Sequence, residues 1–260
     1  MKRVLLGVVS AIMLCVSTVC GAIDIEGLTA KAKDNDLEAQ YTLADYYLQH
    51  DEYSQALFWF EKVAHQGDCD KCYQSMAMVG ILLLGYGDVA PDYQKAELYL
   101  ELAAKADIPE ADFNLGWLYD TGKLGDADAV KALRWYEKAV ADGSDTASFN
   151  IGLLYLQGEN GIAPQYDKAH QWFEKAAALG NSRAEHNLAI MYLNGEGVAH
   201  NDKKGVYWLE KAVAHGQPES FYILGTLYLD GHGVKKNRAK ARAYFKRACR
   251  EGVEAACKLY

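Results

Sequence analysis

The stretch Ala111-Asp112-Phe113-Asn114-Leu115-Gly116-Trp117-Leu118-Tyr119, followed by Ala132 and by Trp135-Tyr136, decides how this chain folds, because both halves recur along the sequence. The small residue Gly116 has counterparts at Ala44, Gly80, Gly152, Ala189 and Gly225, in steps of 36, 36, 36, 37 and 36. Three positions after each stands Tyr47, Leu83, Tyr119, Tyr155, Tyr192 or Tyr228. A parallel series places Ala56, Ala96, Ala132, Ala169, Gly205 and Ala241 three residues before Trp59, Tyr99, Trp135, Trp172, Trp208 and Tyr244. Self-similarity at this period marks a stack of identical supersecondary units.

Each unit reads as two helices. Ala132, Trp135, Tyr136 and Ala139 fall at i, i+3, i+4 and i+7, one face of an α-helix. Gly67, Gly143, Gly180, Gly216 and Gly252 follow the second helices, where a left-handed residue satisfies the terminal carbonyls; Asp107 takes this place in the second unit. Short glycine loops such as Gly195-Glu196-Gly197 separate the two helices. The small residue of each first helix admits a neighbouring helix, and the aromatic residues fill the space beside it. Neither helix buries its face alone, so stability comes from stacking. The expected fold is all-α, an α/α superhelical solenoid of six helix-turn-helix repeats. The units lie near 36–67, 72–107, 108–143, 144–180, 181–216 and 217–252, with a stub at 253–260, in a single domain over 23–260.

Residues 1–22 differ in kind. Lys2-Arg3, an apolar run from Val4 to Val16 and the small-residue end Cys20-Gly21-Ala22 read as a secretory signal cleaved after Ala22. Val19 argues against acylation at Cys20; the apolar run is too short for a membrane span, and no other segment approaches the roughly 20 apolar residues one needs. Four cysteines remain beyond that leader. An even number in an exported chain suggests disulfides, and Cys249 with Cys257 would staple the stub across the turn at Gly252. Cys69-Asp70-Lys71-Cys72 lies between helices, in a four-residue excess that other units lack. A structural disulfide is the preferred reading there, with redox activity or metal binding as alternatives; haem attachment is disfavoured because Tyr73, not His, follows. The net charge of −8 is unevenly spread: Val234–Tyr260 holds nine Lys/Arg against two Glu. A basic end on an acidic chain orients it toward a partner or toward anionic surfaces, or serves only as a soluble terminal cap. Nucleic acid does not fit an exported acidic protein.

The pattern Ala-x-x-Asn-Leu-Gly-x-x-Tyr with Lys-Ala-x-x-Trp-x-x-Lys-Ala, carried by 111–119 and by Lys168-Ala169-His170-Gln171-Trp172-Phe173-Glu174-Lys175-Ala176, resembles the Sel1-like repeat family, a relative of the tetratricopeptide repeat. The resemblance covers nearly all of the chain beyond residue 22. It implies an α/α superhelix acting as an adaptor for other proteins, often in bacterial envelopes. The cysteines resemble those of secreted, cysteine-rich members, some of which have been described as binding penicillin or weakly hydrolysing β-lactams. Unit one, with a shorter loop between Tyr47 and Ala56, and unit two, with Leu83 for tyrosine, depart from the pattern.

Catalytic motifs do not support hydrolysis. None of Ser54, Ser75, Ser144, Ser148, Ser182 or Ser220 has lysine three residues on, and neither Gly-x-Ser-x-Gly nor His-Glu-x-x-His occurs. His65 and His215 occupy equivalent helix ends, suited to the C-terminal dipole. Glu61, Glu101, Glu137, Glu174 and Glu210, with lysines beside them, read as a solvated face. Asn114, Asn150 and Asn187 repeat two residues before the small residue of the three central first helices. An amide offers both donors and an acceptor, which suits an extended peptide backbone, although packing between helices uses the same chemistry. Phe113 and Trp117 on the same helix as Asn114, with their neighbours Phe149 and Tyr222, are candidate apolar anchors, and core residues otherwise.

These observations lead us to expect a periplasmic or secreted, monomeric, non-enzymatic scaffold with no cofactor or metal. Its partner would be an envelope protein or peptide, bound on the concave face; the alternative is a β-lactam or peptidoglycan-fragment binder with weak hydrolase activity.

Overall fold

Apolar residues at helical spacing, broken every dozen residues by glycine or a capping side chain, give thirteen α-helices and no strand among the described residues, 24–158 and 161–260 of the computed structural model. The secretory leader expected over 1–22 lies outside them. The backbone forms two compact units, one up to Asp126 and one from Ala127.

The first unit contains α1 (Ile25–Lys33), α2 (Leu37–Gln49), α3 (Tyr53–Ala64), α4 (Asp70–Leu82), α5 (Tyr93–Lys105) and α6 (Pro109–Asp120). The second contains α7 (Ala129–Ala141), α8 (Asp145–Gln157), α9 (Tyr166–Ala178), α10 (Ser182–Asn194), α11 (Asp202–Ala214), α12 (Pro218–Asp230) and α13 (Arg238–Arg250), followed by a 3₁₀ turn at Glu254–Lys258. Within each unit, successive helices pack as antiparallel hairpins. Leu43, Phe60, Leu82 and Leu100 fill the first core, and Tyr136, Phe173, Leu188, Leu209 and Phe245 the second.

The small residues act as expected. A Cβ on Gly152 would stand 2.5 Å from Cε1 of Phe173, and one on Gly225 the same distance from Cε1 of Phe245. The aromatic ring therefore occupies the volume that glycine leaves open. At the end of α5, Asp107 adopts φ +55°, the left-handed conformation that glycine takes after the other second helices. A further periodic signal is the cap of the second helices: Asp92, Asp128, Asn201 and Asn237 each accept the backbone N–H three residues on, at 2.9–3.0 Å. Each such cap contributes about 1 kcal/mol.

Two elements differ from the sequence reading. Helix α1 precedes the first repeat and was not expected; Asp24 caps it, Ala32 is buried, and Gln40 of α2 donates its amide to the Ala32 carbonyl at 2.8 Å. The Cys69–Cys72 motif, expected between helices, instead starts one. Cys69 is the N-cap of α4 and its Sγ accepts the Cys72 N–H at 3.1 Å; α4 starts ten residues before Gly80, where the other first helices start seven before their small residue, yet at 13 residues it is only as long as most of them.

Both cysteine pairs are joined, with Cα–Cα separations of 5.0 Å for Cys69–Cys72 and 4.9 Å for Cys249–Cys257, inside the range of disulfides. The second ties the 3₁₀ turn, with its buried Ala256, to the last turn of α13. Cys249→Ser/Cys257→Ser is expected to lower stability by about 2–3 kcal/mol through the loop entropy returned to the unfolded chain. Calorimetry of the oxidised protein against this variant checks it.

Candidate functional site

In the first unit the first helices of successive repeats face a groove. Helix α2 contributes Tyr41 and Asp45, one turn apart on one face, and Leu48; α4 contributes Gln74 and Met78. Ile108 and Glu110, at the start of α6, close one end, and Phe60 of α3 forms part of the floor. Tyr41 Oη donates to Gln74 Oε1 at 3.2 Å, which fixes the phenol across the two helices.

The floor is apolar and the rim is acidic. Burial pushes the Asp45 carboxyl above its ordinary range, with the donated Gln49 amide, 3.1 Å away, acting in the opposite direction. The Tyr41 phenol is raised first by burial and then by the negative charges of Asp45, Glu110 and Glu38. At one edge Lys71 pairs with Glu38, and its ammonium lies 5.1 Å from the centre of the Tyr41 ring. A partly desolvated carboxylate beside an apolar surface favours a cation that carries its own hydrocarbon stem.

The residues singled out from sequence separate into two groups. Asn114 is only 2 % exposed, and its Nδ2 donates to the Glu110 carbonyl 2.7 Å away in its own helix, while Oδ1 is buried without a partner. Phe113 and Phe149 lie in the core; the Phe149 ring is 5.8 Å from that of Phe173. Asn150, Asn187, Trp117 and Tyr222 are partly exposed, the Tyr222 ring 5.9 Å from that of Phe245. Asn150 and Asn187 take equivalent places in α8 and α10 of the second unit. Helix α13 and the C-terminal turn gather Arg238, Arg242 and Lys258 around the exposed Leu229, Leu259 and Tyr260, in a shallow, open concavity.

Polar pairs inside the second unit serve packing. Ser220 Oγ lies 2.8 Å from His186 Nδ1, but Ser220 is fully buried, so no substrate carbonyl can reach that hydroxyl. Burial lowers the His186 pKa against the opposing charge of Glu219. His170 is lowered by burial as well, with Lys204 adding to the effect and Glu174 opposing it. Both imidazoles therefore favour the neutral form.

Helix hairpins repeated along the chain define an α-helical repeat scaffold. The Sel1 repeat matches six times, at 37–68, 74–108, 109–144, 146–181, 182–217 and 218–253, and the chain belongs to this family. Sel1 repeat proteins generally mediate protein–protein interaction. The Sel1-repeat-containing protein YjcO of Escherichia coli is 32 % identical over 142 residues, which cover 53 % of this chain and 59 % of that protein. The chain thus spans less than two thirds of this curated relative. A protective antigen of uropathogenic Escherichia coli displaying an SLR fold superposes with a TM-score of 0.78 at 28 % identity, over 90 % of this chain and 50 % of the antigen. A Sel1 repeat protein from Oxalobacter formigenes gives 0.72 at 26 %, over 83 % of this chain and 86 % of that one. No helix among the described residues is long and apolar enough to cross a membrane.

Proposed function

We propose that this chain is an exported scaffold whose first-unit groove binds a polypeptide segment presenting a basic side chain next to an apolar one. The carrying observation is the pairing of an apolar floor, Phe60, Met78 and Ile108, with the carboxylates of Asp45 and Glu110. A lysine or arginine stem lies along the floor while its charged end meets the rim, and each charge-assisted hydrogen bond contributes about 1.5–3 kcal/mol. Asn114 contributes by holding the Glu110 carbonyl, and so the backbone at the groove's end, rather than by touching the partner. The partly exposed Asn150, Asn187 and Tyr222 offer the second unit amide and aromatic contacts of its own. The leader-like residues 1–22 and the two joined cysteine pairs support an oxidising, extracytoplasmic setting.

Selection of phage-displayed peptides on the folded chain tests this reading. Enriched peptides are expected to carry Lys or Arg beside Leu, Ile, Phe or Met. Asp45→Asn/Glu110→Gln is expected to weaken a selected peptide at least about tenfold, or about 1.4 kcal/mol. Enrichment of acidic peptides, or equal affinity for the folded variant, would sink the proposal.

A further inference from the structure

The two cysteine pairs occupy opposite electrostatic ends of helices. Cys69 is the N-cap of the 13-residue α4, where unpaired N–H groups and the helix dipole present positive potential. The Cys72 N–H already points at Cys69 Sγ, 3.1 Å away. Cys249 lies in the last turn of α13, where carbonyl oxygens present the negative end, and Cys257 lies in the 3₁₀ turn beyond it. The helix ends alone thus favour a thiolate at Cys69 and disfavour one at Cys249, with Arg250 and Lys258, next to Cys249 and Cys257 in sequence, acting against the second effect. Stabilising the reduced form makes a disulfide more oxidising.

Access differs within the first pair, whereas in the second Cys257 is exposed and Cys249 partly exposed. Cys69 is partly exposed, whereas Cys72 is 0 % exposed in the core side of the first turn of α4. One sulfur can be reached by an incoming thiolate and its neighbour is sheltered, the division between attacked and resolving positions in thiol–disulfide exchange. The charged surroundings are mixed. Asp68 and Asp70 flank Cys69 in sequence and oppose a thiolate there, but Asp68 accepts the Tyr73 hydroxyl at 2.7 Å; Lys71 favours a thiolate and pairs with Glu38. The motif sits on four residues that the other repeats lack.

We propose that Cys69–Cys72 is a thiol–disulfide exchange site acting on polypeptides with paired cysteines, and that Cys249–Cys257 is a static staple. A substrate thiolate attacks Cys69 Sγ. The S–S electron pair goes to the Cys72 sulfur, which takes a proton, and a mixed disulfide forms at Cys69. The second substrate thiolate attacks the substrate sulfur of that bond and Cys69 leaves as thiolate. The substrate is oxidised by two electrons to its disulfide and the chain is reduced to the dithiol. A low-molecular-weight disulfide, such as glutathione disulfide, returns it to the oxidised form with two equivalents of thiol released.

The folded chain is equilibrated with graded mixtures of reduced and oxidised glutathione, alkylated, and each cysteine pair is read by mass spectrometry. Cys69–Cys72 is expected to be reduced at a ratio that leaves Cys249–Cys257 oxidised, the two equilibrium constants differing at least about tenfold. Oxidation of a two-cysteine peptide by glutathione disulfide is expected to accelerate with the wild-type chain and with Cys249→Ser/Cys257→Ser, and not with Cys69→Ser. Should Cys69→Ser misfold, Cys72→Ser gives an independent reading: its Cys69 thiol is expected to titrate, by thiolate absorbance, below the ordinary value of about 8.5. Equal or inverted equilibrium constants, peptide oxidation no faster than with glutathione disulfide alone, or a Cys69 thiol at or above the ordinary value would each overturn the proposal.

Discussion

Phe173→Ala is expected to remove about 3–5 kcal/mol of folding stability, seen as a lowered midpoint of urea unfolding with the slope unchanged. Phe173 is 0 % exposed and fills the volume beside Gly152, where a Cβ would stand 2.5 Å from its ring, and its ring also meets that of Phe149. Alanine would leave a cavity that the flanking helices, held by hairpins on both sides, close only in part. The converse change, Gly152→Ala, overfills the same space and is expected to cost about 1–3 kcal/mol. The fifth repeat fills the same space another way, with Ala189 opposite Leu209, both fully buried, while the first keeps Phe60 opposite Ala44 and the second Leu100 opposite Gly80. Gly152→Ala/Phe173→Leu should therefore lose less than its two single variants added together. A double-mutant cycle with no coupling would show that the ring and the missing methyl do not share one space.

What could be read from the sequence was the frame. The 36-residue recurrence of small and aromatic residues placed both helices of every repeat because packing demands those sizes at those spacings; the rings that meet Gly152 and Gly225, those of Phe173 and Phe245, stand one position after the recurring Trp172 and Tyr244. The groove was harder to see for the same reason. Residues that recur serve the frame, and residues that depart from the recurrence form the surface. The asparagine row is a recurrence, and at Asn114 it is spent on the helix's own backbone. Of Tyr41, Asp45, Gln74 and Glu110 only Asp45 departs from the repeat: Tyr41 shares the register of Phe113, Phe149 and Tyr222, three before the small residue, and Gln74 and Glu110 that of Glu38 and Glu219, six before it. The adjacency of these four arises only when α2, α4 and α6 are laid side by side, although Tyr41 and Asp45 at i, i+4 were a legible half of the site. The start of α4 escaped because an extra cysteine pair between helices looks like a loop insertion until the Cys69 cap reveals it as a helix start.

Recurrence also exposes one costly exception, and His215→Ala is expected to bring it out with a loss of about 2–4 kcal/mol. Glu185 is 0 % exposed; its Oε2 lies 2.8 Å from His215 Nδ1 and its Oε1 is buried without a partner. Removing the imidazole strands a buried carboxylate with neither oxygen satisfied, which costs more than the lost contact itself. The same register position in the first repeat is filled without charge. Gln40, 1 % exposed, donates to the Ala32 carbonyl and accepts from the Gln66 amide at 2.7 Å. The slot therefore has a neutral solution, and Glu185→Gln alone is expected to change stability by less than about 1 kcal/mol. In the His215→Ala background the same substitution should restore about 1–2 kcal/mol, since an amide tolerates a missing partner better than a carboxylate. Urea unfolding of the four proteins measures this directly. If His215→Ala proves nearly neutral and Glu185→Gln restores nothing, the charge at Glu185 is not what makes the pair necessary, and shape alone holds α10 against the end of α11.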